Sequence, residues 1–307
     1  MAPQLWLVTG ASSGIGALLA EHALRAGHRV LATARNPSKA AEDHPQIASL
    51  GGKWLQLDVT SKETKSLVEQ AITDNGGEID VVINNAGYSL FGSIEDISED
   101  ELDDQIQTNV YGVVRVTKAA LPFMRAQRSG TIVNIGSMGG FIAGPGAAPY
   151  SMSKFALEAL SESLSLELNP FNIRVLLVEL GSFRTKILGS RKLPAAGLTK
   201  DYEGTPISMA MGFWEKLAGN QPGDPVKAAQ RILEVIQQTG MGEGKGHLLR
   251  LPLGADCHHR MRAKLDAVMQ NLEETEEIAF STAIDSAPGT QLLARFFPQP
   301  PTGETRL

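Results

Sequence analysis

The chain has 307 residues, more than most single domains but within reach of one α/β domain with an extension. Its residues are 42% hydrophobic and 20% charged with a formal net charge of -6, a globular composition that supports a large core and argues against a nucleic-acid partner. One cysteine, Cys257, excludes an intrachain disulfide and fits a reducing compartment; with no leader-like start and no run of about 18 apolar residues, a cytoplasmic protein without a membrane span is expected.

In chain order, Leu5 to Thr9, Arg29 to Ala34, Lys53 to Leu57, Val81 to Asn84, Thr131 to Ile135 and Arg174 to Glu179 read as buried strands. Helical patterns fill the intervals at Ile15 to Ala26, Lys62 to Asp74, Asn109 to Gln127 and Ser151 to Leu168. Strands alternating with helices predict βαβ units. The expected fold class is α/β, a doubly wound parallel sheet (Rossmann fold) with helices on both faces. After Glu179 the rhythm breaks: residues 186–225 mix glycine and proline with Ile187, Leu188, Phe213 and Trp214, the composition of a substrate lid. Pro225 to Gln238 resumes a helix, and His247 to Leu251 offers one more strand. The expected organisation is a Rossmann-type domain over residues 1–255, and then a C-terminal amphipathic helix and loose tail over residues 256–307.

Thr9-Gly10-Ala11-Ser12-Ser13-Gly14-Ile15-Gly16 joins the first strand to the first helix. Gly10 permits a sharp turn, Gly14 lets the backbone approach a pyrophosphate, and Gly16 allows close packing of helix on sheet. The helix that begins there presents unpaired N–H groups to the anion. The second strand ends Thr33-Ala34-Arg35 with no acid before Glu42, so Arg35 can meet a 2′-phosphate with its guanidinium fork. The expected cofactor is therefore NADP(H). Ser13 adds no second basic residue to that argument.

Tyr150 and Lys154 are four residues apart and share a face of one helix. A neighbouring ammonium is expected to draw the phenol's pKa down from about 10 toward the range useful for proton transfer. Ser137, just after the strand ending at Ile135, can donate a hydrogen bond to a substrate oxygen on which charge develops.

Together these residues make the chain resemble the short-chain dehydrogenase/reductase family over about residues 5 to 255. The matching motifs are TGASSGIG (Thr9 to Gly16), LDV (Leu57 to Val59), NNAG (Asn84 to Gly87), Asn109, Ser137 and YSMSK (Tyr150 to Lys154). The stretches Val30 to Pro37 and Arg250 to Asp256 are similar to the branch of 17β-hydroxysteroid dehydrogenase-like proteins. The resemblance implies that Asp58 and the backbone of Val59 hold the adenine, and that Asn85, Ala86 and Gly87 line the cofactor while Asn84 braces the central strand. It further implies that Gly181, Phe183 and Thr185 surround the nicotinamide. Lys154 would also bind the nicotinamide ribose, and Asn109 would kink its helix and hold a water linked to Lys154. That completes an Asn109-Ser137-Tyr150-Lys154 tetrad. A homodimer built on the helices after Asn109 and Tyr150 is the family expectation. One departure stands out: Leu180-Gly181 replaces the family's Pro-Gly, which removes a preset φ and restores an N–H.

The expected activity is NADPH-dependent reduction of a sizeable, mainly apolar ketone or aldehyde, or the reverse oxidation. Tyr88, Leu90, Phe91, Met138, Phe141, Phe183, Ile187, Phe213 and Trp214 are candidates for the pocket wall. Two other readings compete with it: a biosynthetic relative that couples cofactor binding to isomerisation, dehydration or cyclisation, and a non-catalytic NADP(H)-binding sensor, against which the presence of both Tyr150 and Lys154 counts. No metal is expected, because the consecutive Cys257, His258 and His259 point about 100° apart on a helix.

Overall fold

Among the described residues, seven short strands form one all-parallel sheet in the order β3-β2-β1-β4-β5-β6-β7. They are β1 (Leu5–Val8), β2 (Arg29–Ala34), β3 (Lys53–Gln56), β4 (Val81–Asn84), β5 (Gly130–Ile135), β6 (Ile173–Leu180) and β7 (Arg250–Leu253). The computed structural model describes residues 2–283, so the expected loose tail, from residue 284 on, lies outside the described residues. By internal contacts the chain comprises two units, Met1–Met261 and Arg262–Leu307.

Alternate residues along each strand feed opposite layers, as the period of two requires. Trp6, Val8, Val30, Ala32, Ile83 and Val178 pack beneath α1 (Gly14–Arg25) and the amphipathic α9 (Pro225–Gln237). Leu5, Leu7, Leu31, Val82, Ile132 and Val175 pack beneath α4 (Thr64–Thr73), α6 (Gly112–Gln127) and α7 (Ala148–Leu168). The strand order reverses between β1 and β4, which opens a crevice at their carboxyl ends where doubly wound folds bind ligands.

Three short helices and one lid helix were not among the sequence expectations, and each carries a local start signal. Asn36 caps α2 (Pro37–Asp43) by accepting from the Lys39 N–H at 3.1 Å, and α3 (Pro45–Ser49) follows with proline in its first turn. Ser98 and Glu101 form a reciprocal capping box on α5 (Glu99–Ile106). Within the expected lid, α8 (Pro206–Leu217) likewise opens on proline. Past Gly254, α10 (Ala255–Glu274) and α11 (Glu276–Phe280) complete the helices of the described residues. Leu265, Val268, Met269 and Leu272 make an exposed apolar stripe at helical spacing in the second unit. No helix of the described residues is long and apolar enough to cross a membrane.

Candidate active site

At the carboxyl ends of β1 and β4, the loop after β1 is stitched to the loop after β4. The Thr9 hydroxyl donates to the Ile83 carbonyl and accepts from the N–H groups of Asn85 (2.9 Å) and Ala86 (3.1 Å). The Asn85 amide donates in return to the carbonyls of Thr9 and Gly10, both at 3.0 Å. Gly10 holds φ +64°, in the left-handed region open to glycine. A Cβ on Gly16 would lie 2.6 Å from the Gly10 carbonyl oxygen, so helix α1 meets this loop only without a side chain there. Ser13 caps α1 with backbone alone and makes no side-chain bond to the first turn. The first-turn N–H groups therefore face the cleft, a cradle that fits a pyrophosphate.

From this cradle a continuous cleft of about 1010 Å³ runs in both directions. Toward β2 it is bounded by the exposed Arg35 and by Asp58 and Val59. Burial opposes ionisation of Asp58. The Thr60 N–H (2.9 Å) and hydroxyl (2.7 Å) and the nearby Arg35 nevertheless hold its carboxyl below the usual range. Asn85, Ala86 and Gly87 line the middle of the cleft. Asn84 lies beneath them, 2% exposed, where it donates to Asn134 (2.9 Å) and Thr117 (3.2 Å) and ties β4 to β5 and α6.

Toward the other end, Ser137, Tyr150 and Lys154 converge on the same cleft. Ser137 follows β5 in extended conformation beside Tyr150, and its hydroxyl accepts from the Gly139 N–H (3.0 Å) and donates toward the Leu180 carbonyl (3.5 Å). Tyr150 and Lys154 lie one turn apart on α7, with the Lys154 ammonium 5.9 Å from the Tyr150 ring centroid. That ammonium donates to the Ile135 carbonyl at 2.7 Å. Burial lowers the Lys154 pKa to about 8. The phenol departs from the expectation: burial raises the Tyr150 pKa, against the lowering effect of the Ser137 hydrogen bond.

Asn109 lies at the centre of a π-helical turn, Gln107–Tyr111, between α5 and α6, the kind of irregularity expected of it. Both of its amide hydrogens and one lone pair of its oxygen are engaged with protein groups. The amide donates to the Tyr88 carbonyl (2.9 Å) and to the Ser153 hydroxyl (3.0 Å), and its oxygen accepts from the Tyr88 N–H (3.1 Å). Asn109 thereby couples α7, one residue before Lys154, to the loop after β4.

Past Leu180 the chain crosses the cleft. β6 extends to Leu180 in register with Leu253, and the Gly181 N–H donates to the Leu253 carbonyl at 2.8 Å. Gly181, Phe183 and Thr185 all border the cleft, and the Thr185 side chain faces Gly14 across the cradle. Among the expected wall residues, Tyr88, Phe91, Met138, Phe183, Ile187, Phe213 and Trp214 line the cleft. Leu90 is buried in the protein and, like Phe141, is not part of that lining. The Phe91 ring stacks on Tyr150 with centroids 5.9 Å apart, and Trp214 of α8 meets Phe91 at 5.8 Å. Cys257 is buried with its thiol on the Glu179 carbonyl, whereas His258 and His259 face solvent, so the three diverge as helical geometry requires.

Two features were not anticipated. Gln105, fully buried on α5, clamps the loop after β4 by accepting from the Leu90 N–H (2.8 Å) and donating to the Tyr88 carbonyl (2.9 Å). The capping box ahead of it was the available signal. Glu179 and Glu158 meet in the protein interior behind the cleft. The signal for that pair was a charged residue inside the apolar run of β6.

Comparisons with known proteins agree with this arrangement. The short chain dehydrogenase family profile matches residues 4–194. The chain is 46% identical over 191 residues to Oxidoreductase claN of Passalora fulva, covering 62% of this chain and 87% of that protein. It is 42% identical over 204 residues to a 3-ketodihydrosphingosine reductase of Bacteroides thetaiotaomicron, covering 66% and 72%. Its structure is similar to that of a short-chain dehydrogenase from Streptomyces avermitilis, with a TM-score of 0.81, 37% identity and coverage of 92% and 100%. It is also similar to a metagenomic short-chain oxidoreductase in complex with NADP, with a TM-score of 0.63, 25% identity and coverage of 81% and 96%. Strand order, glycine loop and profile match agree: the chain belongs to the short-chain dehydrogenase family.

Proposed function

We propose that this protein is an NADPH-dependent carbonyl reductase acting on a sizeable, mainly apolar ketone. The observation that carries this reading is the convergence of Ser137, Tyr150 and Lys154 on one cleft that continues to a phosphate cradle and ends at Arg35. The cradle and Arg35 fit a dinucleotide with a 2′-phosphate, and the similar metagenomic oxidoreductase is in complex with NADP. Such a cofactor, when bound, supplies a hydride.

The remaining steps belong to the protein. The Ser137 and Tyr150 hydroxyls donate hydrogen bonds to the carbonyl oxygen and stabilise the negative charge that grows on it. Tyr150 then transfers its proton to that oxygen. A phenol, whose pKa is ordinarily about 10 and is raised further here by burial, is protonated at neutral pH, the state a proton donor needs. Lys154, held by the Ile135 carbonyl, keeps a positive charge beside the phenol as it loses its proton. Asn109 positions α7 through Ser153. Phe91, Trp214 and Phe213 exclude water from the reacting carbonyl and favour an apolar substrate. The similar 3-ketodihydrosphingosine reductase is named for a ketone on a long-chain base, in keeping with a wall of this kind.

NADPH consumption across a panel of carbonyl compounds, with product masses recorded, tests the reading. Tyr150→Phe is expected to lower kcat by about 10²–10⁴-fold while NADPH still binds. A Tyr150→Phe enzyme with undiminished kcat removes the mechanism.

A further inference from the structure

Glu179 is the penultimate residue of β6 and is 0% exposed, and neither of its carboxyl oxygens has a conventional hydrogen-bond donor. Glu158 of α7 is 8% exposed; its Oε2 accepts from Arg250 Nε at 3.0 Å, and its Oε1 has no donor. Glu158, on the helix packed against β6, and Arg250, on the neighbouring β7, both act on the Glu179 carboxyl. Two carboxylates in that position repel in a medium of low dielectric, and three buried acceptor atoms without donors are costly. One proton removes the repulsion and engages two of the three atoms: Glu179, protonated, donates to Glu158, whose other oxygen accepts from Arg250.

The place of this pair gives it a consequence. Tyr150, Lys154 and Glu158 succeed one another at four-residue intervals down one face of α7. On the other side, Glu179 adjoins Leu180, whose carbonyl faces the Ser137 hydroxyl at 3.5 Å, and its own carbonyl accepts from Cys257. We propose that Glu158 and Glu179 are positioning residues that share a single proton and thereby fasten the turn below Lys154 to the end of β6 that carries the Ser137 side of the site. The proposal rests on the reductase reading for its effect on turnover, but the shared proton is observable without it.

The other titratable and charged groups around the pair are Lys154 and Glu162 on α7, Arg250 on β7, and Asp256 and Cys257 on α10. Arg250 also pairs with Glu162. Burial, together with the hydrogen bond and charge of Glu158, raises the Glu179 pKa to about 8, against the pull of Arg250. The proton is therefore retained at neutral pH and lost as pH rises through about 8, when a second negative charge separates β6 from α7.

Infrared difference spectra of the full chain between about pH 7 and pH 10 test the proton directly, because ordinary carboxylic acids are ionised throughout that range. The wild type is expected to lose a protonated-carboxyl C=O band on going to the alkaline side, and Glu179→Gln is expected to lack that band. A wild type without the band overturns the proposal whatever the variants do, including if they fail to fold. In kinetics, Glu179→Leu is expected to lower kcat about tenfold at neutral pH, with Glu179→Gln, which keeps a donor, restoring most of it. The alkaline limb of log kcat against pH is expected to be steeper by one proton in the wild type than in Glu179→Gln. Equal slopes and midpoints reject the positioning role, whereas loss of all turnover in the wild type on every carbonyl tested rejects the reductase reading and leaves the infrared result standing.

Discussion

Arg35 stands exposed at the end of β2, on the rim of the cleft and close enough to Asp58 to help keep that carboxyl ionised. In our reading its fork meets a 2′-phosphate, a charge-assisted contact that contributes about 1.5–3 kcal/mol. Arg35→Asp is accordingly expected to lower kcat/KM with NADPH by about 10–100-fold and to shift preference toward NADH. An unchanged ratio of kcat/KM for the two cofactors rejects the contact. Two chemically similar positions behave differently for a reason of environment. Asp58 has Thr60 donors and an arginine nearby and stays ionised, whereas Glu179 has only another carboxyl and a shared arginine and keeps its proton.

Between residues and the whole fold, the π-helical turn joining α5 to α6 does more than bend the chain. It turns the Asn109 side chain into contact with the loop after β4 and with α7 together. Asn109→Ala leaves the Tyr88 N–H without its partner and takes one bond each from the Tyr88 carbonyl, still held by Gln105, and the Ser153 hydroxyl, still bonded to the Tyr150 carbonyl, which costs about 1–3 kcal/mol. Denaturant unfolding of the variant is expected to show a lower midpoint with an unchanged slope. An unaltered midpoint would show that the junction is held elsewhere. The replacement of the family's proline by Leu180 also acts at this scale. Leu180 leaves the backbone there without a fixed φ, and it ends β6 in register with Leu253, to whose carbonyl the next N–H, that of Gly181, donates.

Over the first unit as a whole, the sheet provides a rigid floor and the segment containing α8 an apolar wall. Trp214 and Phe213 on α8 pack edge to face at 5.1 Å, and Trp214 reaches Phe91, which in turn stacks on Tyr150. An aromatic chain thus links α8 to Tyr150. If a large apolar substrate is covered by this wall, Trp214→Ala raises KM for it about tenfold and leaves a small ketone within about twofold. Parallel loss on both substrates would assign α8 to general stability instead.

Local pattern alone determined the alternation of strands and helices, the glycine loop and the one-turn spacing of Tyr150 and Lys154, because each depends on chain periodicity or on backbone freedom at a given residue. Helix α8, with no buried residue of its own, had little periodic signal to reveal it. The raised phenol pKa and the Glu158–Glu179 pair were decided by tertiary structure only. Ionisation depends on which groups surround a side chain and how much water reaches it, and folding brings together carboxyls 21 positions apart in the chain from α7 and β6.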